Sequence, residues 1–321
     1  MPAPLVTVLM PAFNSARYLA EAIESILLQS WNDLQLIVLD GGSNDPTQDI
    51  VKAYALRDPR VRLEVFSNTA PNKRVDLILP SIRSSYIMMQ HSDDISYTNR
   101  TARQLKAFLD DPALAVCSTD TRMFMHDRFN PARSEGVRRL PRPTQHEVIK
   151  ANLLFWWVMN CPTLMFDLNK IREAGMVFAN SYAYGNDYWQ TVTNIDKVKY
   201  GNIPEELCAY RLHTASDGLT NFNALRDEER KLKIDILHHF GFEASPRELE
   251  IHSGFRLVPD QILDAKTPEE FDETIAWLNK LRQQNDEKQV FHVQIFSALI
   301  ETLCDQTKAL KDAKKAETQA A

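Results

Sequence analysis

Glycine is scarce in this chain, with 9 glycines among 321 residues. No glycine-rich loop follows the first apolar run, because the segment there reads Pro-Ala-Phe-Asn. Sugar nucleotidyltransferases and Rossmann dehydrogenases need such a loop, since its backbone N–H groups bind phosphate. The sequence therefore disfavours both of these enzyme classes.

The chain also lacks an excess of basic residues, long apolar runs and paired cysteines. A net charge of −6 gives no electrostatic reason to expect a nucleic acid partner. No window reaches the ~18 apolar residues of a membrane span, and the N-terminus shows no basic-then-apolar signal. The 4 cysteines have no metal-ligand spacing, which favours reduced structural thiols. We expect a soluble cytoplasmic protein, for which work at the inner face of a membrane is compatible with the sequence.

Short apolar runs alternate with amphipathic segments over the first hundred residues. The runs predict four buried strands, at Leu5–Met10, Leu34–Leu39, Val61–Phe66 and Tyr86–Met89. Such alternation predicts an α/β fold with a mainly parallel sheet flanked by helices, and ligands of such sheets bind at the carboxyl ends of the strands. Those ends carry the polar segments 11–14, 40–43 and 91–94.

Start signals mark the predicted helices. Asn14 and Asp45 are expected to cap the first two helices, the second with Pro46 in its first turn. Further strands are expected near residues 115, 165 and 208, and the last hundred residues read as helical. Capping boxes begin there at Ser245 and Thr267. We predict boundaries near residues 110 and 220.

Two adjacent acids, Asp93 and Asp94, follow the fourth predicted strand. Carboxylate oxygens are the ligands that Mg²⁺ and Mn²⁺ favour. The alternative for this pair is a helix cap or a solvated turn, and Asp40 has a similar alternative as a turn former. The metal site is favoured because polar turns recur at matching strand ends.

Six segments between residues 5 and 218 occur in a fixed order. They are Val6–Asn14, Tyr18–Trp31, Ile37–Asp45, Tyr86–Asp94, Tyr184–Trp189 and Ala209–His213 with Ser216. Together they resemble the family-2 glycosyltransferases of the GT-A fold. The segment 37–45 is similar to the family's Val-Val-Asp-Asp-Gly-Ser-Thr-Asp, and 86–94 is similar to the strand and turn that carry its metal-binding Asp-x-Asp. The segments near 187 and 211 resemble its Glu-Asp-Tyr and Tyr-Arg-x-His.

The resemblance implies an inverting enzyme that moves a sugar from a nucleoside diphosphate sugar, expected to be a UDP-sugar. The acceptor would be a hydroxyl of a glycan, a lipid-linked saccharide or a glycoprotein, as in bacterial surface polysaccharide assembly. Residues 1–110 would form the nucleotide-sugar-binding half, and residues 111–220 the acceptor-binding half. Residues 221–321 would form a C-terminal helical region, with a homodimer through these helices as one option.

The resemblance also implies the site residues. A Mn²⁺ or Mg²⁺ ion would be held by Asp93, with His91 and His213. Asp187 would be the general base of the reaction. The expected donor-binding residues are Pro11, Ala12, Asn14, Asp40, Gly42, Arg74, Asp94 and Arg211.

The chain departs from the family pattern at three positions. His91 replaces the first Asp of the Asp-x-Asp motif, Gly41 replaces the second Asp of the Asp-Asp-Gly-Ser motif, and Asn186 replaces the Glu before the catalytic Asp. These departures keep a second hypothesis open, in which the protein binds nucleotide sugars or acts as a scaffold with weak catalysis.

Overall fold

The structure, a computed structural model, describes residues 4–124, 142–179, 182–213, 222–255 and 267–320. Contacts divide the chain into two units. Unit 1 contains residues 1–144, 159–181 and 194–221, and unit 2 contains residues 145–158, 182–193 and 222–321. The predicted boundary near residue 220 lies close to the start of the continuous part of unit 2. The two shorter segments of unit 2 come from within the predicted middle region, and no unit boundary falls at residue 110.

Regular elements are numbered in chain order. The strands are β1 Val6–Ala12, β2 Leu34–Asp40, β3 Val61–Val65, β4 Tyr86–Met89, β5 Ile95–Ser96, β6 Leu114–Phe124, β7 Met165–Asp167 and β8 Lys199–Arg211. The helices are α1 Leu19–Leu27, α2 Thr47–Ala55, α3 Pro71–Ile78, α4 Arg100–Asp110, α5 His146–Asn152, α6 Leu168–Glu173, α7 Asn186–Asn194, α8 Phe222–His239, α9 Pro246–Ser253, α10 Pro268–Lys288 and α11 Val293–Ala320. Within the described segments, no helix combines the length and the apolar character that crossing a membrane requires.

All eight strands belong to one sheet of unit 1, in the order β3-β2-β1-β4-β7-β6-β8-β5. The pairs β3–β2, β2–β1, β1–β4 and β6–β8 are parallel, and the pairs of β7 with its neighbours and of β5 with β8 are antiparallel. This mixed, mostly parallel sheet flanked by helices, followed by helices at the C-terminal end, confirms the predicted fold class.

The first predicted strands form because their residues are apolar on both faces. Six of the seven residues of β1 are buried, and so are six of the seven residues of β2. Helix α1 packs its buried Leu19, Ile23 and Ile26 into the same core cluster as these strands. Strands covered on both sides must bury both faces, and this explains the continuous apolar runs.

The helix start signals were correct for unit 2 and partly wrong for unit 1. Ser245 and Thr267 each form the predicted capping box, with Glu248 and Glu270. Asn14 does not cap α1, because the helix begins only at Leu19 and Asn14 adopts a left-handed φ of 49° in the turn after β1. Asparagine tolerates this conformation better than most residues.

The second helix begins one residue later than predicted. Asp45 Oδ1 accepts the backbone N–H of Thr47 at 3.0 Å, so Asp45 does contribute to the helix start. The N-cap residue is nevertheless Pro46, and α2 begins at Thr47. Asp45 Oδ2 also accepts the backbone N–H of Ala16, at 3.1 Å, and so joins this helix start to the turn after β1.

A buried histidine joins α9 to other parts of unit 2. Trp277 Nε1 donates to His252 Nδ1 at 3.4 Å, so the proton of the neutral imidazole lies on Nε2, which contacts Leu154 O at 3.1 Å. Lys233, also buried, donates to Phe255 O and pairs with Glu229. Burial lowers the pKa of His252 to about 3, and the Lys233 charge acts in the same direction.

His252 should make the protein less stable in mild acid. In the unfolded chain a histidine takes up a proton near pH 6.5, whereas folded His252 stays neutral down to about pH 3, so stability is lost as the pH falls from 6.5. The loss at pH 5 should reach about 2 kcal/mol, and His252→Gln should remove it. Urea unfolding between pH 7 and pH 5 measures this difference. The exposed His292 provides the control, since His292→Gln should keep the wild-type pH dependence. The same pH dependence in His252→Gln would contradict the assignment.

Candidate active site

Three polar turns meet at the carboxyl ends of β1, β2 and β4. The backbone N–H of Asn14 donates to Ser43 Oγ at 2.9 Å, and Asn14 Oδ1 accepts the N–H of Asn44 at 3.0 Å. Ser15 Oγ lies 2.8 Å from Ser92 Oγ, which joins the first turn to the segment after β4. The convergence predicted from the parallel sheet is therefore present.

Asp40 forms the turn after β2. Its carboxylate is fully buried, and Oδ2 accepts the N–H groups of Gly42 and Ser43 at 2.9 Å each and the side-chain amide of Gln48 at 2.8 Å. Gly42 has a φ of 88°, a conformation that favours glycine. These contacts fit the turn-former alternative for Asp40, and its contact with a donor stays a prediction.

Arg74 holds the ends of β1 and β2 from inside the protein. It is only 4% exposed, and its Nη1 donates to Ala12 O and Leu39 O at 2.8 Å each, while Nε donates to Thr69 O at 2.8 Å. A Cβ atom on Gly41 would lie 2.4 Å from Arg74 Nη2. The guanidinium therefore leaves no room for a side chain at position 41, where the family motif has Asp. Pro11 and Ala12 are the last residues of β1.

The segment His91–Asp94, called the metal loop below, carries three possible ligands. One ligand atom from each of His91, Asp93 and Asp94 can be chosen so that all three lie within 4.8 Å of one another. Asp94 is 1% exposed, and its Oδ1 accepts the backbone N–H of Arg211 at 2.8 Å. Asp94 Oδ2 is buried and has no hydrogen-bond partner. The structure thus groups Asp94, which the resemblance assigned to the donor, with the candidate ligands, in agreement with the acidic pair noted in the sequence.

The charges of the metal loop are incompletely balanced. Burial raises the pKa of Asp94, and the Asp93 charge raises it further, although the His91 ring opposes both. His91 Nδ1 is 3.5 Å from Asp94 Oδ2, which is too long for a good hydrogen bond. Burial disfavours the charged form of His91, but Asp94 and the Cys161 thiol together raise its pKa well above the ordinary value. Two close carboxylates with a buried unpartnered oxygen fit a divalent cation.

Arg211 and His213, at the end of β8, contact the metal loop. Arg211 is 1% exposed, its Nε donates to Asp93 O at 2.9 Å, and its Nη2 forms an ion pair with Glu21 of α1. His213 Nε2 lies 3.1 Å from Asp93 Oδ2. The structure therefore brings both predicted residues to the metal loop, with the Arg211 guanidinium engaged inside the protein. Their contacts with a donor or a metal stay predictions.

Asp187 belongs to unit 2, whereas the metal loop belongs to unit 1. It lies in the first turn of α7, where an anionic side chain is favoured. The carboxylate of Glu228, on α8, accepts the backbone N–H groups of Ala183 and Tyr184 at 2.8 Å each. Glu228 thus anchors the turn that leads into Asp187. Sequence reasoning missed this role because Glu228 lies more than 40 residues after that turn.

Comparisons with known proteins agree with this architecture. Residues 7–170 match the sequence profile described as glycosyl transferase family 2. A Haemophilus influenzae protein described as an uncharacterized glycosyltransferase is 22% identical over 242 residues, which cover 74% of this chain and 74% of the relative.

Two solved structures are similar along almost the whole chain. A crystal structure of S. aureus TarS 1–349 in complex with UDP-GlcNAc has a TM-score of 0.57 at 16% identity, with 98% of this chain and 92% of that chain covered. The mannosyltransferase PcManGT from Pyrobaculum calidifontis, in complex with GDP-Man and Mn²⁺, has a TM-score of 0.54 at 16% identity, with 99% and 87% covered. These likenesses show the shared GT-A fold.

A methyl group at position 41 should destabilise the protein. Gly41→Ala places Cβ against an Arg74 guanidinium that three backbone carbonyls hold in place, so the expected loss is about 1–3 kcal/mol in the free energy of unfolding. Denaturant unfolding measures the loss, and Arg74→Met supplies the second side of a double-mutant cycle. In the Arg74→Met background the same alanine should cost little. Equal losses in both backgrounds would show that Arg74 is not the cause.

Proposed function

This chain belongs to glycosyl transferase family 2, and we propose that it is an inverting enzyme that moves a sugar from a nucleoside diphosphate sugar to an acceptor hydroxyl. One observation carries the proposal. The buried, unpartnered Oδ2 of Asp94 lies beside Asp93 in the loop after β4, and that loop is hydrogen-bonded to the turn after β1. A buried carboxylate oxygen without a hydrogen-bond partner, next to a second acid at this edge of the sheet, suits a cation that accompanies a diphosphate.

We propose that Asp93 and Asp94 hold Mn²⁺ or Mg²⁺, with His91 and His213 beside them. When bound, the ion would stabilise the negative charge that develops on the leaving diphosphate. The Mn²⁺ in the PcManGT structure supports a metal of this type. Arg211 serves the site by fixing the backbone of Asp93 and the carboxylate of Asp94.

The proposed donor is a UDP-sugar. The UDP-GlcNAc in the TarS structure supports uridine as the base of the donor. The PcManGT structure contains GDP-Man, so the panel of nucleotide sugars described below includes both bases. Pro11, Ala12 and Asn14 would form one side of the donor site. Asp40 and Gly42 would shape the neighbouring turn, and Arg74 would hold both turns from within.

Asp187 is the proposed general base, on the basis of its sequence motif and its place in the first turn of α7. A carboxylate that takes the proton of the attacking hydroxyl allows direct displacement, which inverts the configuration at the anomeric carbon. The acceptor would be a hydroxyl of a glycan, a lipid-linked saccharide or a glycoprotein. Dimerisation through the C-terminal helices stays a prediction that the mass of the protein in solution would check.

The proposed activity can be tested with a panel of nucleotide sugars. The protein is incubated with each donor and Mn²⁺, and release of nucleoside diphosphate is followed with and without EDTA. Release from one donor class that requires the metal is expected, with UDP-sugars as the prediction. Binding of a nucleotide sugar without hydrolysis or transfer would instead favour a nucleotide-sugar-binding protein or scaffold, the hypothesis that Gly41, His91 and Asn186 keep open.

Asp187→Asn should separate catalysis from donor binding. Loss of a general base is expected to lower kcat by about 10²–10⁴-fold, because the acceptor hydroxyl is no longer deprotonated, while the affinity for the nucleotide stays close to wild type. Turnover and nucleotide binding are measured on the same preparations. The exposed Asp305 of α11 gives a matched control, and Asp305→Asn should behave as wild type. Wild-type turnover in Asp187→Asn would remove Asp187 from this role.

A further inference from the structure

A buried glutamine spans the metal loop. Gln90 follows β4 directly and is fully buried. Its Nε2 donates to His91 O at 3.0 Å and to Asp94 O at 2.8 Å, so one side-chain amide bridges the first and last residues of the loop. Because both carbonyls are held by the same nitrogen, the backbone of the loop is closed into a tight curve. This curve brings the carboxylates of Asp93 and Asp94 to the same side.

Arg100, the first residue of α4, fixes the other end of that glutamine. Its Nη1 donates to Gln90 Oε1 at 2.9 Å and to Ser96 Oγ at 2.8 Å. Its Nη2 donates to Met89 O at 2.8 Å, and its Nε donates to Gln104 Oε1 at 2.9 Å. Ser96 Oγ also donates to Gln90 Oε1, at 2.6 Å. With two donors on its oxygen, Gln90 has its amide nitrogen facing the loop.

The positive charge of Arg100 is not paired with a carboxylate in the described part of the chain. The residue is fully buried, and across the described part of the chain no carboxylate lies within ion-pair distance of it. Burial lowers the pKa of the guanidinium, and the charge of Asp94 is among the influences that raise it. Burying a charge without an ion-pair partner costs free energy. We therefore ask what Arg100 does for the acidic loop that follows β4.

We propose that Gln90 and Arg100 are positioning residues of the metal loop, which shape it for a cation before the cation binds. Gln90 sets the curve of the loop through two carbonyls, and Arg100 fixes Gln90 through its amide oxygen. The inference rests on the proposed function, since it requires the loop to bind a metal. A network that only stabilised the core would leave metal affinity unchanged.

Gln90→Met tests the bridge with little change in side-chain volume. It removes the donor to both loop carbonyls, and the expected result is a rise of about tenfold or more in the Kd for Mn²⁺. The Kd is measured on the full chain without nucleotide, from the electron paramagnetic resonance signal of free Mn²⁺. The KM for Mn²⁺ should rise similarly, while kcat at saturating Mn²⁺ should recover.

Gln29 provides a matched control in the same unit. It is 3% exposed, its Nε2 bridges Ser25 O at 3.0 Å and Tyr97 O at 2.8 Å, and its Oε1 accepts from Thr101. Gln29→Met removes an equivalent bridge whose hydrogen bonds do not involve residues 91–94. It should lower the unfolding midpoint and leave the Kd for Mn²⁺ unchanged.

Arg100→Lys is the second variant and carries the test if Gln90→Met does not fold. It keeps the positive charge but loses the hydrogen bonds of Nη1 to Gln90 and Ser96. The expected rise in the Kd for Mn²⁺ is smaller than in Gln90→Met. Wild-type Mn²⁺ affinity in folded Gln90→Met or Arg100→Lys would overturn the inference, as would an equal loss of affinity in Gln29→Met. If the wild-type protein bound no Mn²⁺, either alone or with a nucleoside diphosphate present, the proposed metal site would fail, and this outcome is visible before any variant is measured.

Discussion

The parallel pairing of β2, β1 and β4 is the constraint on which the site depends. In this register Ala12 lies opposite Asp40, so β1 and β2 end together, and β4 ends at Met89, opposite Leu9 of β1. The turns that follow are then near enough for direct hydrogen bonds. The contacts of Asn14 with Ser43 and Asn44, and the Ser15–Ser92 contact, hold the turns together at this edge.

Buried arginines support the site from within. Arg74 holds carbonyls at the ends of β1 and β2, Arg100 holds Gln90, and Arg211 holds the backbone of Asp93. Only Arg211 forms an ion pair among these three in the described part of the chain, and its partner Glu21 lies outside the metal loop. Arg100, through Gln90, and Arg211 thus order the acidic loop without forming a hydrogen bond to Oδ2 of Asp94. This combination of ordered backbone and unsatisfied carboxylate oxygen is what a cation requires.

The departures from the family motif have local structural counterparts. Gly41 leaves the space that the Arg74 guanidinium fills, and His91 places Nδ1 beside Asp94 where the motif has a carboxylate. At the start of α7, Asn186 Nδ2 lies 3.4 Å from Tyr182 O, while Glu228 accepts two backbone N–H groups of the preceding turn. Each substitution is therefore accompanied by contacts that keep its segment ordered.

Local patterns in the sequence were enough to predict the first four strands to within about two residues, the mixed α/β fold and both capping boxes, because these features depend on neighbouring residues. The sequence also placed the polar turns at matching strand ends. It missed the left-handed turn at Asn14, where tertiary contacts with Ser43 and Asn44 override the capping preference. Only the tertiary structure decided three further contacts. They are the ion pair of Arg211 with Glu21, the bridge of Arg100 to Gln90, and the anchoring of the turn before Asp187 by Glu228. Such contacts join side chains that are distant in the chain or buried together, and no periodicity or spacing in the sequence encodes which two will meet.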